Sequence, residues 1–148
     1  MFTFRLKPLQ KIRENLRRER QSELAKALTA EAVVRDKIES IVHEIAGTKE
    51  DGRRLVSEGT INVDFLVGLR RHEAYLLAQK QEAEEKLDQV LAEVERRRLA
   101  VVEADKEVKI MEKLHEKQKD KYDAELAAKE IVAFDEIASQ RAAGKGNQ

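Results

Sequence analysis

Apolar residues follow a heptad pattern through the second half of the chain. The stretch Asn62 to Ala142 contains no proline, and its periodicity predicts one uninterrupted helix of roughly 120 Å at 1.5 Å per residue. Key positions recur alternately three and four residues apart, and eleven of the fourteen are apolar. This hydrophobic seam predicts packing against another helix. Its positions are Leu66, Leu69, Glu73, Leu76, Lys80, Ala83, Leu87, Val90, Val94, Arg97, Val101, Ala104, Val108 and Met111.

A shorter helix is predicted ahead of this one, from Leu9 to Ala46. Pro8 favours a helix start just after it, because proline is tolerated at the first turn but not in a helix interior. Gly47 is a plausible residue to end the helix, since glycine takes the left-handed conformation without steric cost. The seam is predicted to slip by one residue across Arg20. Its members are Leu9, Ile12, Leu16, Leu24, Ala27, Glu31, Val34, Ile38, Ile41 and Ile45.

The segments outside the two helices are short. Residues 47–61 hold three of the six glycines and form the best turn candidate. Asn62 is predicted to cap the second helix by accepting from the backbone amide of Asp64 or Phe65. Ahead of Pro8, Phe2 alternates with Phe4 and Leu6, which fits either an extended arm or a frayed first turn.

The turn predicts that the chain folds back on itself. If its centre lies near residue 54, the numbers of facing residues sum to about 108, and the second helix has no partner beyond about residue 100. We therefore expect an all-α fold, a long antiparallel two-helix coiled-coil hairpin whose second helix overhangs. It would form a single coiled-coil domain over residues 1–148, with a disordered tail over 143–148. The expected facing pairs are Ile45 with Val63, Leu24 with Ala83, and Leu9 with Leu99.

Additional apolar residues lie outside the seam in the expected overhang. Leu99 and Ile110 point nearly the same way on a helix, and Val102 lies about 60° from Leu99. They are either scattered surface hydrophobes, which are common, or a stripe that docks a partner. Residues 131–137, which include Phe134, are the most apolar segment of the overhang.

Composition supports a coiled coil and disfavours several other classes. Charged residues make up 39% of the chain and aromatic residues 4%, too polar a mixture for a large compact core. The 29 basic and 29 acidic residues balance, which argues against a dedicated nucleic-acid or membrane-surface protein. The absence of cysteine suits a reducing cytosol. No run reaches the roughly 18 apolar residues of a membrane span, so no direct membrane insertion is expected.

The sequence offers little support for catalysis. His43, His72 and His115 are each followed by Glu, but none completes the His-Glu-x-x-His pattern of a zinc site. The carboxylates fall in helical charge pairs rather than in a pocket that could separate their pKa values. The glycines form no phosphate-binding loop. We therefore predict no catalytic residue, no metal, no cofactor and no enzymatic activity.

Two arginine clusters stand out from the balanced charge. Arg13, Arg17, Arg18 and Arg20 lie in the first helix, and residues 96–98 in the second. In the expected register Arg13 would face the region of residue 95, so that the clusters would form a basic collar. The collar is either a solvated coiled-coil flank or a surface for an acidic protein partner. No nucleic-acid partner is expected, because no aromatic side chains are interleaved for base stacking.

Both ends of the sequence resemble the flagellar FliJ family, the coiled-coil component of the flagellar type III export apparatus. At the start, the residues that carry the resemblance are Phe2, Thr3, Phe4, Arg5, Leu6, Leu9, Ile12, Arg13, Glu14, Leu24 and Ala25. Towards the end they are Met111, Glu112, Lys113, Leu114, Glu116, Lys117, Tyr122, Asp135, Glu136 and Ala138.

The resemblance implies a non-enzymatic partner of the hexameric export ATPase. Members of the family form a hairpin similar to the central stalk of rotary ATP synthases. The terminal ends of this hairpin insert into the ring of the export ATPase. Family members also contact the cytoplasmic domain of the export-gate membrane protein and assist export chaperones. The implied location is the cytoplasm, peripherally at the cytoplasmic face of the inner membrane at the flagellar base. The chain is expected to be monomeric when free.

The candidate partner-binding residues follow from the arginine clusters, the exposed apolar residues and the resemblance to the FliJ family. For the export gate, approximate alignment with the family reaches His72, Leu76, Gln79 and Ala83, with Phe65 and Tyr75 as nearby substitutes. The residues assigned to the gate are Phe65, His72, Tyr75 and Leu76. Removal of residues 110–148 is expected to leave the hairpin folded and to abolish ATPase stimulation. The alternative function is a structural spacer or self-associating scaffold without an ATPase partner. The residues assigned to the ATPase ring are Arg13, Arg17, Arg18, Arg97, Arg98, Leu99, Val102, Ile110, Lys113, Leu114, Lys117 and Phe134.

Overall fold

A computed structural model describes residues 1–59 and 62–146 of the chain. Two helices account for nearly all of this part: α1 covers Lys7–Ser57 and α2 covers Val63–Lys145. The described residues contain no strand, and the two helices are in contact. The predicted all-α helical hairpin is confirmed.

The chain divides into two compact units, and both helices run through each of them. The loop unit consists of Glu19–Val102, and the terminal unit consists of Met1–Arg18 with Glu103–Gln148. Within the loop unit, a guanidinium nitrogen of Arg97 donates to the carbonyl of Glu23 at 2.6 Å, and Lys49 lies 3.9 Å from Glu73. The later residue of α1 meets the earlier residue of α2, so the helices are antiparallel.

Helix α1 is longer than the sequence predicted. The expected end at Ala46 is wrong, because α1 continues through Gly47 and stops at Ser57. A single glycine costs a helix interior only about 1 kcal/mol relative to alanine, and the buried residues Ile45 and Thr48 on either side favour its continuation. The predicted turn over 47–61 is accordingly much shorter. Two of its residues, Thr60 and Ile61, lie outside the described part.

A different glycine ends α1. Gly59 has a φ of 75° and is the positive-φ residue of the described chain. Its amide donates to the carbonyl of Val56 at 3.4 Å, and the amide of Glu58 donates to the carbonyl of Arg54 at 3.1 Å. These bonds satisfy carbonyls of the last helical turn, which have no partners farther along the helix.

The start of α2 follows the prediction closely. The side-chain oxygen of Asn62 accepts from the amides of Asp64 at 3.1 Å and Phe65 at 3.4 Å, which confirms the predicted cap. Asp64 places a negative charge in the first turn, where the helix dipole favours it. At the other end α2 continues to Lys145, so the predicted disordered tail over 143–148 does not begin at residue 143. Asn147 and Gln148 lie outside the described residues.

The seam predicted on α2 is present in full. All fourteen of its positions are buried or half-buried, and Val108 is completely excluded from solvent. The seam predicted at the start of α1 is partly wrong, because Leu9 and Ile12 are exposed and Gln10 is half-buried. Extending the heptad back from Ala27 without a slip places arginines at the interface. These arginines, all half-buried, are Arg13, Arg17 and Arg20.

The register also differs from the expected one. The numbers of facing residues sum to 120 for Glu23 and Arg97 and to 122 for Lys49 and Glu73, instead of 108. The physical reason is the longer α1, which moves the turn about six residues along the chain. The expected pairs of Ile45 with Val63, Leu24 with Ala83, and Leu9 with Leu99 are therefore wrong.

The unpaired part of α2 begins later than predicted. In the terminal unit, Phe4 packs against His115 and the amino group of Met1 donates to the Tyr122 hydroxyl at 3.1 Å. Residues 103–122 therefore have partners within the chain, and the expectation of an unpaired helix from about residue 100 is wrong. The true overhang, residues 123–145, is exposed throughout.

Candidate partner-binding surfaces

An aromatic cluster fastens the N-terminal arm to α2 in the terminal unit. The ring of Phe4 meets His115 edge-on with centroids 4.8 Å apart, and Phe2 contacts both His115 and Tyr122 at 5.6 Å. Phe4 is buried. Residues 1–4 have no regular secondary structure, so of the two sequence interpretations the arm, rather than a frayed helical turn, fits these contacts.

Two of the candidate arginines form ion pairs across the terminal unit. Arg13 lies 3.7 Å from Glu107, and Arg17 lies 3.3 Å from Asp105. Asp105 also pairs with Lys109 at 2.9 Å. The pKa of the Asp105 carboxyl is lowered chiefly by the hydrogen bond from Lys109 and by its charge, with Arg17 adding to the effect and partial burial opposing it.

Arg97 is held in a comparable way within the loop unit. It bonds the carbonyl of Glu23 and lies 2.8 Å from the carboxylate of Glu93, which also pairs with Arg96. The hydrogen bond from Arg97 is the largest cause of a lowered pKa at Glu93, and the charges of Arg96 and Arg97 act in the same direction. Arg98 is more exposed and lies 3.9 Å from Glu95.

These contacts revise the predicted basic collar. Arg13 faces Glu107 rather than the region of residue 95, so the pairing that defined the collar is wrong. Arg13, Arg17 and Arg97 are half-buried and engaged within the hairpin, whereas Arg18 and Arg98 are exposed. Of the five assigned arginines, those two present their side chains mainly to solvent.

The assigned apolar residues outside the seam face solvent. Leu99 and Val102 of the loop unit are exposed, as is Ile110 of the terminal unit. On the same helix Lys113 and Lys117 are exposed, while Leu114 is half-buried. The structure therefore leaves most of this group accessible to a partner.

The overhang carries the densest group of exposed large apolar residues in the terminal unit. Phe134 is 70% exposed. Leu126, Phe134 and Ile137 lie within about 80° of one another around the helix axis, so they share one face. A contiguous exposed apolar face marks an interaction site more often than isolated surface hydrophobes do. The exposed large apolar residues of the whole overhang are Leu126, Ile131, Val132, Phe134 and Ile137.

Comparison with known protein families gives the chain an identity. Residues 1–147 match the family model described as FliJ, Flagellar FliJ protein. The chain belongs to the FliJ family. It is accordingly a component of the flagellar export apparatus. No curated protein and no solved structure shows a significant match to it.

In this FliJ-family chain, three of the four residues assigned to the export gate are exposed. Phe65, His72 and Tyr75 all face solvent in the loop unit. The rings of His72 and Tyr75 stack with centroids 6.4 Å apart, and a His72 ring nitrogen lies 3.3 Å from the carboxylate of Glu44. Gln79 donates to the Tyr75 hydroxyl at 2.6 Å, which holds the aromatic side chain in place.

Leu76 has a different role from the one assigned to it. It is buried in a core cluster with Ile41, Ile45 and Ala83. A partner could reach its side chain only if the hairpin opened, so the structure moves Leu76 from the candidate surface to the core. Its position on the predicted seam already indicated this.

One contact of this FliJ-family chain could not be predicted from the heptad pattern. Phe2 packs against His115 and Tyr122, and Phe4 packs against His115. These contacts join residues more than a hundred positions apart and depend on the register of the helices. The alternation of Phe2 and Phe4 was the available signal. It could not identify the partner, because the expected register placed these residues near position 105.

Within residues 1–59 and 62–146, no cluster of three or more His, Asp and Glu side chains could hold a metal ion. Over the same residues, neither helix has a stretch apolar enough, for long enough, to cross a bilayer.

Proposed function

We propose that this FliJ-family chain is a stalk-like regulator of the hexameric export ATPase and that the overhang, residues 123–145, is its main binding element. The observation that carries the proposal is the exposure of Phe134 and its apolar neighbours on a stretch of α2 whose described side chains all face solvent. Aromatic and aliphatic side chains of this kind are frequent anchors of protein interfaces.

The terminal unit supplies a second part of the proposed ATPase surface. Arg18, Lys113 and Lys117 are exposed there, and the two lysines place positive charge within about 15 Å of the start of the overhang along α2. Ile110 adds an apolar contact. Arg13, Arg17 and Leu114 support this surface from the hairpin interface. Arg97, Arg98, Leu99 and Val102 of the loop unit remain proposed contacts.

Symmetry suggests how such a chain would regulate a ring. A single hairpin has no six-fold symmetry, so it contacts only some of six identical subunits at one time. A protein that binds one nucleotide state better than another shifts the population towards that state, by no more than the difference in binding free energy. The proposed stalk would therefore bias ring assembly or ATP hydrolysis without catalysing a reaction itself.

The proposed link to the export gate uses the loop unit. Phe65, His72 and Tyr75 form the surface for the cytoplasmic domain of the gate protein, and export chaperones are further proposed partners. The proposed location is the cytoplasmic face of the inner membrane at the flagellar base.

The test separates the two proposed surfaces by point variants. Phe134→Asp places a charge on the overhang, and Phe65→Asp makes the same change in the loop unit, where the side chain is also exposed. We expect Phe134→Asp to lower stimulation of the cognate export ATPase by about tenfold or more. Phe65→Asp should leave stimulation intact and weaken binding of the gate domain. Equal stimulation by wild type and Phe134→Asp would contradict the ATPase proposal.

A C-terminal truncation gives a second test of the ATPase proposal, and the contacts of α2 determine the suitable deletion. Removal of residues 110–148 would delete the buried Met111 and the two aromatic partners of the arm, His115 and Tyr122. Removal of 124–148 spares them. The shorter deletion should keep the helical circular dichroism of residues 1–123 and lose ATPase stimulation.

The scaffold alternative rests on the same apolar face. A second copy could cover Leu126, Phe134 and Ile137 by pairing two overhangs in a coiled coil. Light scattering at micromolar concentration discriminates the two functions. The stalk proposal expects a monomer, and an obligate dimer that dissociates on Phe134→Asp would favour the scaffold.

A further inference from the structure

The hairpin seam has a gap in the loop unit. Continuing the heptad of α1 from Ile41 and Ile45 leads to Thr48, then Gly52, then Leu55. Gly52 therefore occupies a core position without a side chain to fill it. A Cβ atom added there would meet nothing within 4 Å.

Folding does not require glycine at this position. Its φ is negative, and glycine in a helix interior is about 1 kcal/mol less favourable than alanine. Gly47 and Gly68 are also helical and open, but they lie off the seam and on exposed surface. Gly52 differs from them because the space that it leaves belongs to a groove between the helices.

This seam groove has an apolar floor. Val56 of α1 and Leu66 and Leu69 of α2 line it together with Gly52. Because Gly52 contributes no side chain, Leu66 and Leu69 are only half-buried, and part of their surface remains available. A single apolar side chain from another helix could fill the space as a knob fills a hole in a coiled coil.

The rim of the seam groove is predominantly positive. Lys49, Arg53 and Arg70 line it, with Glu73 as the one carboxylate. Glu73 is shared at 3.9 Å between Lys49 and Arg70, and Arg53 lies 4.0 Å from Glu50. The side chains of Arg53 and Arg70 are 79% and 85% exposed, so both guanidinium groups are accessible.

We propose that the seam groove binds an acidic amphipathic helix of a protein partner. An apolar side chain of that helix enters the space over Gly52 and packs on Leu66 and Leu69, while flanking carboxylates pair with Arg53 and Arg70. Arginine is well suited to such pairing because its planar fork can bind a carboxylate through two hydrogen bonds. None of these residues belongs to the surfaces proposed above for the ATPase or the gate.

The first experiment identifies the preferred ligand chemistry. A display library of single-helix peptides with randomised surface positions is selected against the full-length chain, and the recovered peptides are sequenced. We expect enrichment of peptides that combine glutamate or aspartate with a central leucine, isoleucine or phenylalanine. Recovery of no binder, or only of basic or uncharged peptides, would overturn the proposal.

The second experiment tests the location with matched variants. Gly52→Leu fills the seam groove, and Gly68→Leu makes the same change on exposed surface away from it. Binding of the selected peptide, measured by fluorescence polarisation, should weaken by at least about tenfold for Gly52→Leu and for Arg53→Glu with Arg70→Glu. Gly68→Leu should bind as the wild type does.

The same variants distinguish a loss of peptide binding from misfolding and from self-association. Gly52→Leu should keep or raise the thermal midpoint, because leucine favours the helix and its Cβ meets no atom. Loss of peptide binding in a folded Gly52→Leu chain supports the proposal. Unchanged binding overturns it, as does light scattering that shows a wild-type dimer abolished by Gly52→Leu, since the occupant would then be a second copy.

Discussion

Val108 and Ile110 are two residues apart on α2 and differ completely in exposure. Val108 is 0% exposed and Ile110 is 57% exposed. Truncating a buried valine to alanine removes two methyl groups from the core and leaves a cavity, which together cost about 2 kcal/mol. We expect Val108→Ala to lower the free energy of unfolding by this amount, and Ile110→Ala to change it by less than about 0.5 kcal/mol. Urea denaturation followed by circular dichroism measures both.

The comparison also tests the corrected extent of pairing. If residues 103–122 had no partner in the chain, Val108 would be exposed and both substitutions would have equally small effects. The sequence identified Val108 as a seam residue from its spacing alone. It could not identify what covers the residue, because a heptad pattern defines a face and not the partner in contact with it.

Asp105 makes the terminal unit sensitive to acid. Its pKa is lowered in the folded chain, so its contribution to stability is fully present above the ordinary pKa of aspartate, about 3.9, and is lost as the pH falls through the lowered folded value. We expect the difference in urea midpoint between wild type and Asp105→Asn to be constant near neutral pH and to shrink below about pH 4. Lys109→Gln should reduce that difference, because Lys109 is the main cause of the shift. A difference independent of pH would contradict this assignment.

At the scale of the helices, two glycines have opposite expected effects. Gly59 has a φ of 75°, which alanine adopts at a cost of roughly 1–2 kcal/mol. Gly47 lies inside α1 with nothing within 4 Å of an added Cβ, so alanine should stabilise the helix by about 0.5–1 kcal/mol. Urea midpoints of Gly59→Ala and Gly47→Ala should therefore move in opposite directions. Destabilisation by Gly47→Ala would instead support an end of α1 near residue 47.

Local signals explain which helix boundaries could be predicted. The cap at Asn62 depends on one side chain and the two amides after it, and the sequence contains all of that information. The end of α1 depends on packing against α2 at Ile45 and Thr48, which outweighs the weak preference of Gly47 to end a helix. Glycine identity alone could not distinguish Gly47 from Gly59.

At the scale of the whole chain, the predicted turn was displaced by about six residues, and this displacement also changed the candidate sites. The hairpin itself followed from the two seams and the turn. Every facing pair, however, depended on the position of that turn, and the partners of Arg13 and the start of the overhang were therefore wrong. Exposure of Phe134 was predictable from its distance beyond any plausible partner. The gap at Gly52 was not predictable, because the sequence placed Gly52 in the turn rather than in α1.

Cross-linking within the loop unit tests the corrected register directly. The chain contains no cysteine, so paired cysteines react without background. Glu23→Cys with Arg97→Cys should be joined by a short bifunctional reagent, because the Arg97 side chain reaches the Glu23 carbonyl. Leu24→Cys with Ala83→Cys should not, since Ala83 lies fourteen positions before Arg97, about 21 Å along α2. The reverse result would restore the register predicted from sequence. It would also extend the unpaired part of α2 back to about Leu99, so that Leu99 and Val102 would join the overhang as the first residues to test against the ATPase.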